Sequence, residues 1–224
     1  MVLSARKVSV FGAKALVLVV WIGCLSGSGE TSPVKAYAPI QHERIDKAEL
    51  RQLREGDVLL RRGIGFTSDH IARLLDEKEG LTHCGLLVKK ANQFKVISCE
   101  STNEFSGVLE TSLAEFLLEA QPNSLVVVRP KSLNAAENKG VAHLANWYLK
   151  NKKPFDLRFD NTDTTAFYCV EFLDVLYKTT LKKELFERRL RLTNGKNIYL
   201  MANFFNDFYF KTIINHQELR TRIR

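Results

Sequence analysis

From Ile45 onward, apolar residues recur in two rhythms, one suited to helices and one to strands. Ile45 to Gln52 predicts a short helix, and Val58-Leu59-Leu60, opened by the turn pair Gly56-Asp57, predicts a strand. Phe66 to Leu75 carries apolar residues at helical spacing, with Thr67 or Ser68 as the cap. Leu81 to Val88 and Phe94 to Glu100 are two β-type runs around a short polar break, which predicts a hairpin. Val108 and Leu109 add a strand, Leu113 to Glu119 a helix, and Ser124 to Arg129 a buried strand. Ala135 to Lys150 predicts a long helix. A second strong helix covers Phe167 to Tyr177, with Asp163 to Thr165 as its capping residues. Apolar, strand-like pieces follow Lys183. These elements predict an α+β domain with a mainly antiparallel sheet.

The first residues follow a different pattern. Arg6, Lys7 and Lys14 precede the uncharged run Ala15 to Leu25, and small residues follow at Ser26 to Gly29. This is the layout of a secretory signal, and the run is too short for a comfortable membrane span. The expected organisation is a signal peptide at 1–29, a proline-containing tether at 30–44 and one folded domain at 45–224. Export is the expectation, to the periplasm or to a membrane-anchored position on its periplasmic side. Cys24 closes the run as in a bacterial lipoprotein processing site, although Trp21 departs from that pattern. Processing there would leave Cys24 lipidated, whereas cleavage near Ser28 would release the protein.

Composition narrows the partners. Hydrophobic residues make up 45% and charged residues 26%, the balance of a globular protein. The net charge of +8 comes largely from late clusters such as Lys150 to Lys153 and Arg220 to Arg224. No zinc-ligand spacing, basic recognition helix or aromatic RNA-binding motif accompanies them, so the charge reads as a solvated surface and nucleic acid is set aside.

The candidate chemistry starts in the hairpin. If its turn centres between Ala91 and Asn92, His83 lies opposite Glu100 on the same face of the sheet, with Cβ atoms about 5 Å apart. A carboxylate there orients one imidazole nitrogen and leaves the other for a nucleophile. Cys169 supplies the nucleophile: it stands near the start of a helix, where unpaired amides and the helix dipole favour a thiolate. Cys84 and Cys99 fall on the face opposite His83 and Glu100 and pair with each other across the hairpin. We read them as buried thiols beneath a helix in preference to a disulfide.

Several blocks carry a family resemblance. Gly56 to Gly63 followed by Ser68, Thr82 to Val88, Pro154 to Phe159, and Phe167 to Leu173 together resemble the YaeF/YiiX group. These are circularly permuted papain-like enzymes of the NlpC/P60 superfamily, in which the histidine precedes the cysteine. The resemblance implies His83 as base, Glu100 as its acidic partner, Cys169 as nucleophile and Tyr168 as an active-site tyrosine. It also places Gly85 where the strand passes close to substrate or helix. Val170 and Phe155 depart from the group's common serine and tyrosine, which bears on substrate fit.

The resemblance implies an amidase or peptidase working through a Cys-His-Glu triad and a thioester, whereas the acid-base chemistry alone would equally allow esters. The oxyanion site would use the Cys169 amide with Tyr168. Its substrate would be an amide in a cell-wall peptide, an N-acylated small molecule or a lipid. No cofactor and no metal are implied. Two other readings are a thiol acyltransferase or phospholipase acting on lipid, and a catalytically silent binding module of the envelope.

Overall fold

The computed structural model describes residues 44–217, apart from 103, 132, 163, 188, 193, 194 and 196. The expected signal peptide with Cys24, the expected tether up to residue 43 and the basic tail lie outside the described residues. No helix among the described residues is long and apolar enough to cross a membrane.

Six strands form one sheet, and every pair in it is antiparallel. In chain order they are β1 (Val58–Arg61), β2 (His83–Lys90), β3 (Gln93–Ser101), β4 (Ser106–Ser112), β5 (Val126–Pro130) and, near the C-terminus, β8 (Phe210–Asn215). Across the sheet they run β4-β3-β2-β1-β5-β8. A separate ribbon pairs β6 (Arg189–Arg191) with β7 (Asn197–Tyr199), and a 3-10 helix spans Met201–Phe205.

Alternation along the strands divides the core between the two sheet faces. One face carries Val58, Leu60, Cys84, Leu86, Ile97, Cys99 and Val126, packed with the helices α4 (Ala135–Lys150) and α5 (Cys169–Leu181). The other carries Leu59, Leu87, Val96 and Val127, covered by α3 (Leu113–Leu118) through Leu113, Phe116 and Leu117. Helix starts follow local sequence: Asp46 with Glu49, Ser112 with Glu115, and Asn134 with Glu137 form capping boxes on α1 (Lys47–Gln52), α3 and α4. The strand β1 is pinned at its start by Asp57. Its wholly buried carboxylate accepts from Arg129 Nε at 2.7 Å and Nη2 at 2.9 Å, and from the Arg54 amide at 2.8 Å.

Two expected caps are corrected. The helix α2 (Phe66–Leu75) has the predicted bounds, but its N-cap is Gly65 at φ 99°, where no side chain caps the helix. Ser68 instead lies inside the helix, and its hydroxyl meets that of Thr82 at 2.5 Å. The helix α5 starts at Cys169 rather than near Phe167, and its N-cap is Tyr168 rather than Thr164 or Thr165, while Asp163 lies outside the described residues. A short parallel bridge holds Phe167 extended: Asp156 N donates to Phe167 O at 2.9 Å, and Phe167 N donates to Pro154 O at 3.1 Å. The helix therefore begins only after Tyr168, whose amide donates to the Glu171 carboxylate at 3.3 Å.

Candidate active site

The hairpin arithmetic holds. Ala91 and Asn92 form the turn, both at positive φ (46° and 63°), which is the backbone of a type I′ connection. The β2–β3 register pairs Gly85 with Ser98 and Leu86 with Ile97. Continued by two residues, it sets His83 opposite Glu100. Their side chains meet, with His83 Nε2 3.2 Å from Glu100 Oε2. This is ion-pair distance; the ring nitrogen is not aligned on the carboxylate as a full hydrogen bond.

A third residue extends that row. Arg61 on β1 pairs with His83 on β2, so Arg61, His83 and Glu100 project from neighbouring strands on the α3 face. The Arg61 side chain is 5% exposed and reaches Glu100 Oε2 at 3.3 Å, Glu119 Oε2 at 2.5 Å and the Phe116 carbonyl at 2.9 Å. Its guanidinium lies 4.4 Å from the centre of the Phe116 ring, which also leans on His83 at 5.7 Å between centroids. Gly85 makes this close approach possible, since a Cβ there would stand 3.3 Å from Phe116 Cε2. The resemblance placed a close approach to substrate or helix at this glycine, and the helix is α3.

Cys169 arrives from the opposite layer. It is the first residue of α5, at the end of the helix where amides are free, and it packs against the cluster that contains Cys84 and Cys99. At the start of β2 the thiol interacts with two consecutive side chains, Cys84 beneath the helix and His83 at the strand's end. Its pKa is held well below the ordinary thiol range: a hydrogen bond from Cys84 contributes most, burial opposes it, and His83 and the Val170 amide add to the lowering. The other two cysteines go the opposite way. Burial pushes the Cys84 and Cys99 thiols up, and both are free. Cys99 Sγ donates to the Phe167 carbonyl at 3.0 Å, one more tie on the segment that delivers Cys169.

The loop before Cys169 is built on Asp156. This buried carboxylate accepts from the amides of Arg158, at 2.8 Å, and Asp160, which turns the chain back toward Phe167. Tyr168 is buried too, and its hydroxyl accepts from the Tyr199 amide at 2.7 Å. That bond fastens the residue next to Cys169 onto β7.

The structure thus brings Cys169, His83 and Glu100 together, as expected from the sequence, while Cys24 lies outside the described residues. Sequence reasoning missed two members. Arg61 had no signal, because β1 and β2 are separated by α2 and no turn fixes their register. Cys84 was set aside as lying on the wrong face, yet it contacts Cys169 because α5 covers that face.

This combination is a YiiX-like α+β fold carrying a thiol beside an imidazole-carboxylate pair. No protein-family model matches the chain, and no curated protein does so. Among solved structures, the fold is similar to that of the metalloprotein YiiX from Escherichia coli O157:H7. The TM-score is 0.61 at 20% identity, over 73% of this chain and 98% of that one. Among the described residues here, no group of three or more His, Cys, Asp or Glu side chains is arranged to hold a metal ion. The Glu100 carboxylate faces one imidazole and the fixed cation of Arg61, which cannot ligate and would repel a metal ion, so this donor set does not fit one.

Proposed function

We propose that this chain is an exported thiol hydrolase that cleaves amide bonds, with Cys169 as nucleophile, His83 as base and Glu100 as the group that orients His83. The fold would be a permuted papain-like one of the NlpC/P60 type. The observation that carries this reading is the meeting of a helix-N-terminal thiol of lowered pKa with a histidine that stands 3.2 Å from a carboxylate.

The chemistry follows from those positions. With the proton on His83, the Cys169 thiolate adds to the substrate carbonyl and forms a C–S bond. The oxyanion forms beside the Cys169 amide, which is free at the helix start. Tyr168, whose buried hydroxyl accepts from the Tyr199 amide, would contribute by holding the start of the helix in place. The intermediate collapses with the C–N bond, and the leaving amine takes the proton from His83. Water, deprotonated by His83, then opens the thioester to release the acid and restore the thiol. Export would follow from the leader, and the mass and cell fraction of the mature protein would report where it is cut and whether Cys24 carries lipid.

Mild alkylation with iodoacetamide, mapped by mass spectrometry with and without His83→Ala, tests the activated pair. Labelling of Cys169 faster than a free cysteine at the same pH, and slowed in the variant, supports the hydrolase. Labelling no faster than a free cysteine and indifferent to His83 would sink it and favour a silent envelope-binding module.

A second reading, an acyltransferase or phospholipase acting on lipid, is favoured by exposed apolar side chains beside the row of Arg61. Ile64 and Phe66, the latter 80% exposed, follow β1, and the solvent-facing Leu118 ends α3. A bridge between Gly63 and Ala120 ties these two segments together. Product analysis with N-acylated and O-acylated lipids separates the readings, since the second requires transfer of the acyl group or release of a fatty acid.

A further inference from the structure

We infer that Arg61 is a positioning residue of the proposed site: it holds the Glu100 carboxylate in place and sets the pH at which the Cys169–His83 pair becomes reactive. The inference rests on the hydrolase reading above.

Arginine is rarely buried without partners, and this one finds them in Glu100 and in the end of α3, through the Phe116 carbonyl and Glu119. One Nη2 bridges two carboxylates, Glu100 and Glu119, while Nη1 is fixed by the Phe116 carbonyl. The guanidinium is further held over the Phe116 ring. Arg61 and His83 approach the same oxygen of Glu100, at 3.3 and 3.2 Å. The planar guanidinium is itself fixed by Phe116 and Glu119, so its Nη2 restrains the oxygen that His83 approaches, which a flexible point charge would do less well.

Charge argues in the same direction. The titratable groups around Glu100 and Cys169 are His83 and Cys84 on β2, Cys99 on β3, Glu119 after α3, Glu171 on α5 and Asp156 in the preceding loop. Among the described residues, Arg61 is the permanent cation in contact with Glu100, while Arg158 lies 3.9 Å from Asp156 with its side chain 69% exposed. Removing a cation from a cluster of interacting acids makes every deprotonation in that cluster harder. The thiolate–imidazolium pair then forms at higher pH.

The experiment is the pH profile of Cys169 alkylation by iodoacetamide in the full chain, for wild type, Arg61→Met, Arg61→Lys and Glu119→Gln, with thermal melts of each. We expect Arg61→Met to move the acidic limb up by about 0.5 to 1 pH unit, a three- to tenfold lower rate on that limb. Arg61→Lys retains the charge and should restore most of the limb while still melting earlier. A folded Arg61→Met with an unmoved limb overturns the inference. If Arg61→Met shows no cooperative melt, Glu119→Gln decides: this side chain is 55% exposed, and its loss should move the limb down. An unmoved limb there also overturns the inference. Labelling indifferent to His83→Ala would instead fail the hydrolase reading itself, so the two failures are distinguishable.

Discussion

Gly85→Ala is the substitution whose cost the structure defines most directly. The residue lies on the same face as His83, beneath Phe116. A Cβ placed there would stand 2.5 Å from Val96 Cγ1 and 3.3 Å from both Phe116 Cε2 and Ser98 Cβ. Carbon atoms pack at about 3.5–4.0 Å, so Val96 must retreat by about 1 Å while the other two atoms give by a few tenths. Val96 resists, because a β-branched side chain is stiff about χ1 and this one is wholly buried in the cluster of Leu87 and Phe116. Overpacking of this kind costs about 1–3 kcal/mol, and one severe contact with two mild ones suggests about 2 kcal/mol. In a domain of this size that lowers Tm by about 4–8 °C. The assay is thermal and urea unfolding followed by tryptophan fluorescence, in a double-mutant cycle with Val96→Ala. Removing Cγ1 eliminates the severe contact, so Gly85→Ala should cost less than about 0.5 kcal/mol in that background. Cys169 alkylation should slow in the single variant, because Phe116 braces both His83 and Arg61. A Gly85→Ala protein within about 0.5 kcal/mol of wild type, or strictly additive costs in the cycle, would refute the packing argument.

Two further expectations concern stability. Asp57→Ala leaves Arg129 without its carboxylate and the Arg54 amide without its acceptor; at the lower end of the range for a broken buried pair, the loss is about 3 kcal/mol, or about 6–12 °C in Tm. A melt within 2 °C of wild type, taking about 2 °C per kcal/mol as the floor, would show that the pair contributes little. Burial raises the pKa of the Tyr177 hydroxyl, with Asp57 and Cys84 adding to the rise. The unfolded chain therefore releases this proton near pH 10 while the folded chain retains it, so stability is full below that pH and falls as pH rises beyond it. The hydroxyl has no hydrogen-bond partner, so Tyr177→Phe should leave stability at pH 7 intact or slightly raised and flatten the alkaline loss. Urea midpoints at pH 7 and pH 10.5 measure both effects, and an unchanged alkaline slope would assign the loss to other groups.

Much of this protein is determined locally, and so was readable along the chain. Periodicity located α2 and α4 at their observed bounds. A two-residue turn between β-type runs allows one register, and that register alone put His83 against Glu100. The helix after Phe167 was equally plain, and with it a cysteine at a helix start. Its first residue was placed too early, because the bridge from Pro154–Asp156 to Phe167 joins segments whose pairing no local pattern encodes.

Tertiary structure decided what surrounds those groups. Which helix covers which sheet face brought Cys84 under Cys169 and Phe116 over Gly85, although alternation had assigned the residues to faces correctly. The pairing of β1 with β2 across an intervening helix set Arg61 in line with His83 and Glu100. Hydrogen-bond register within a hairpin is fixed by its turn, whereas the partner of a distant strand is fixed by how whole layers pack. That difference in range is why the thiol, the imidazole and the carboxylate could be named from sequence, and the arginine that pairs with the carboxylate could not.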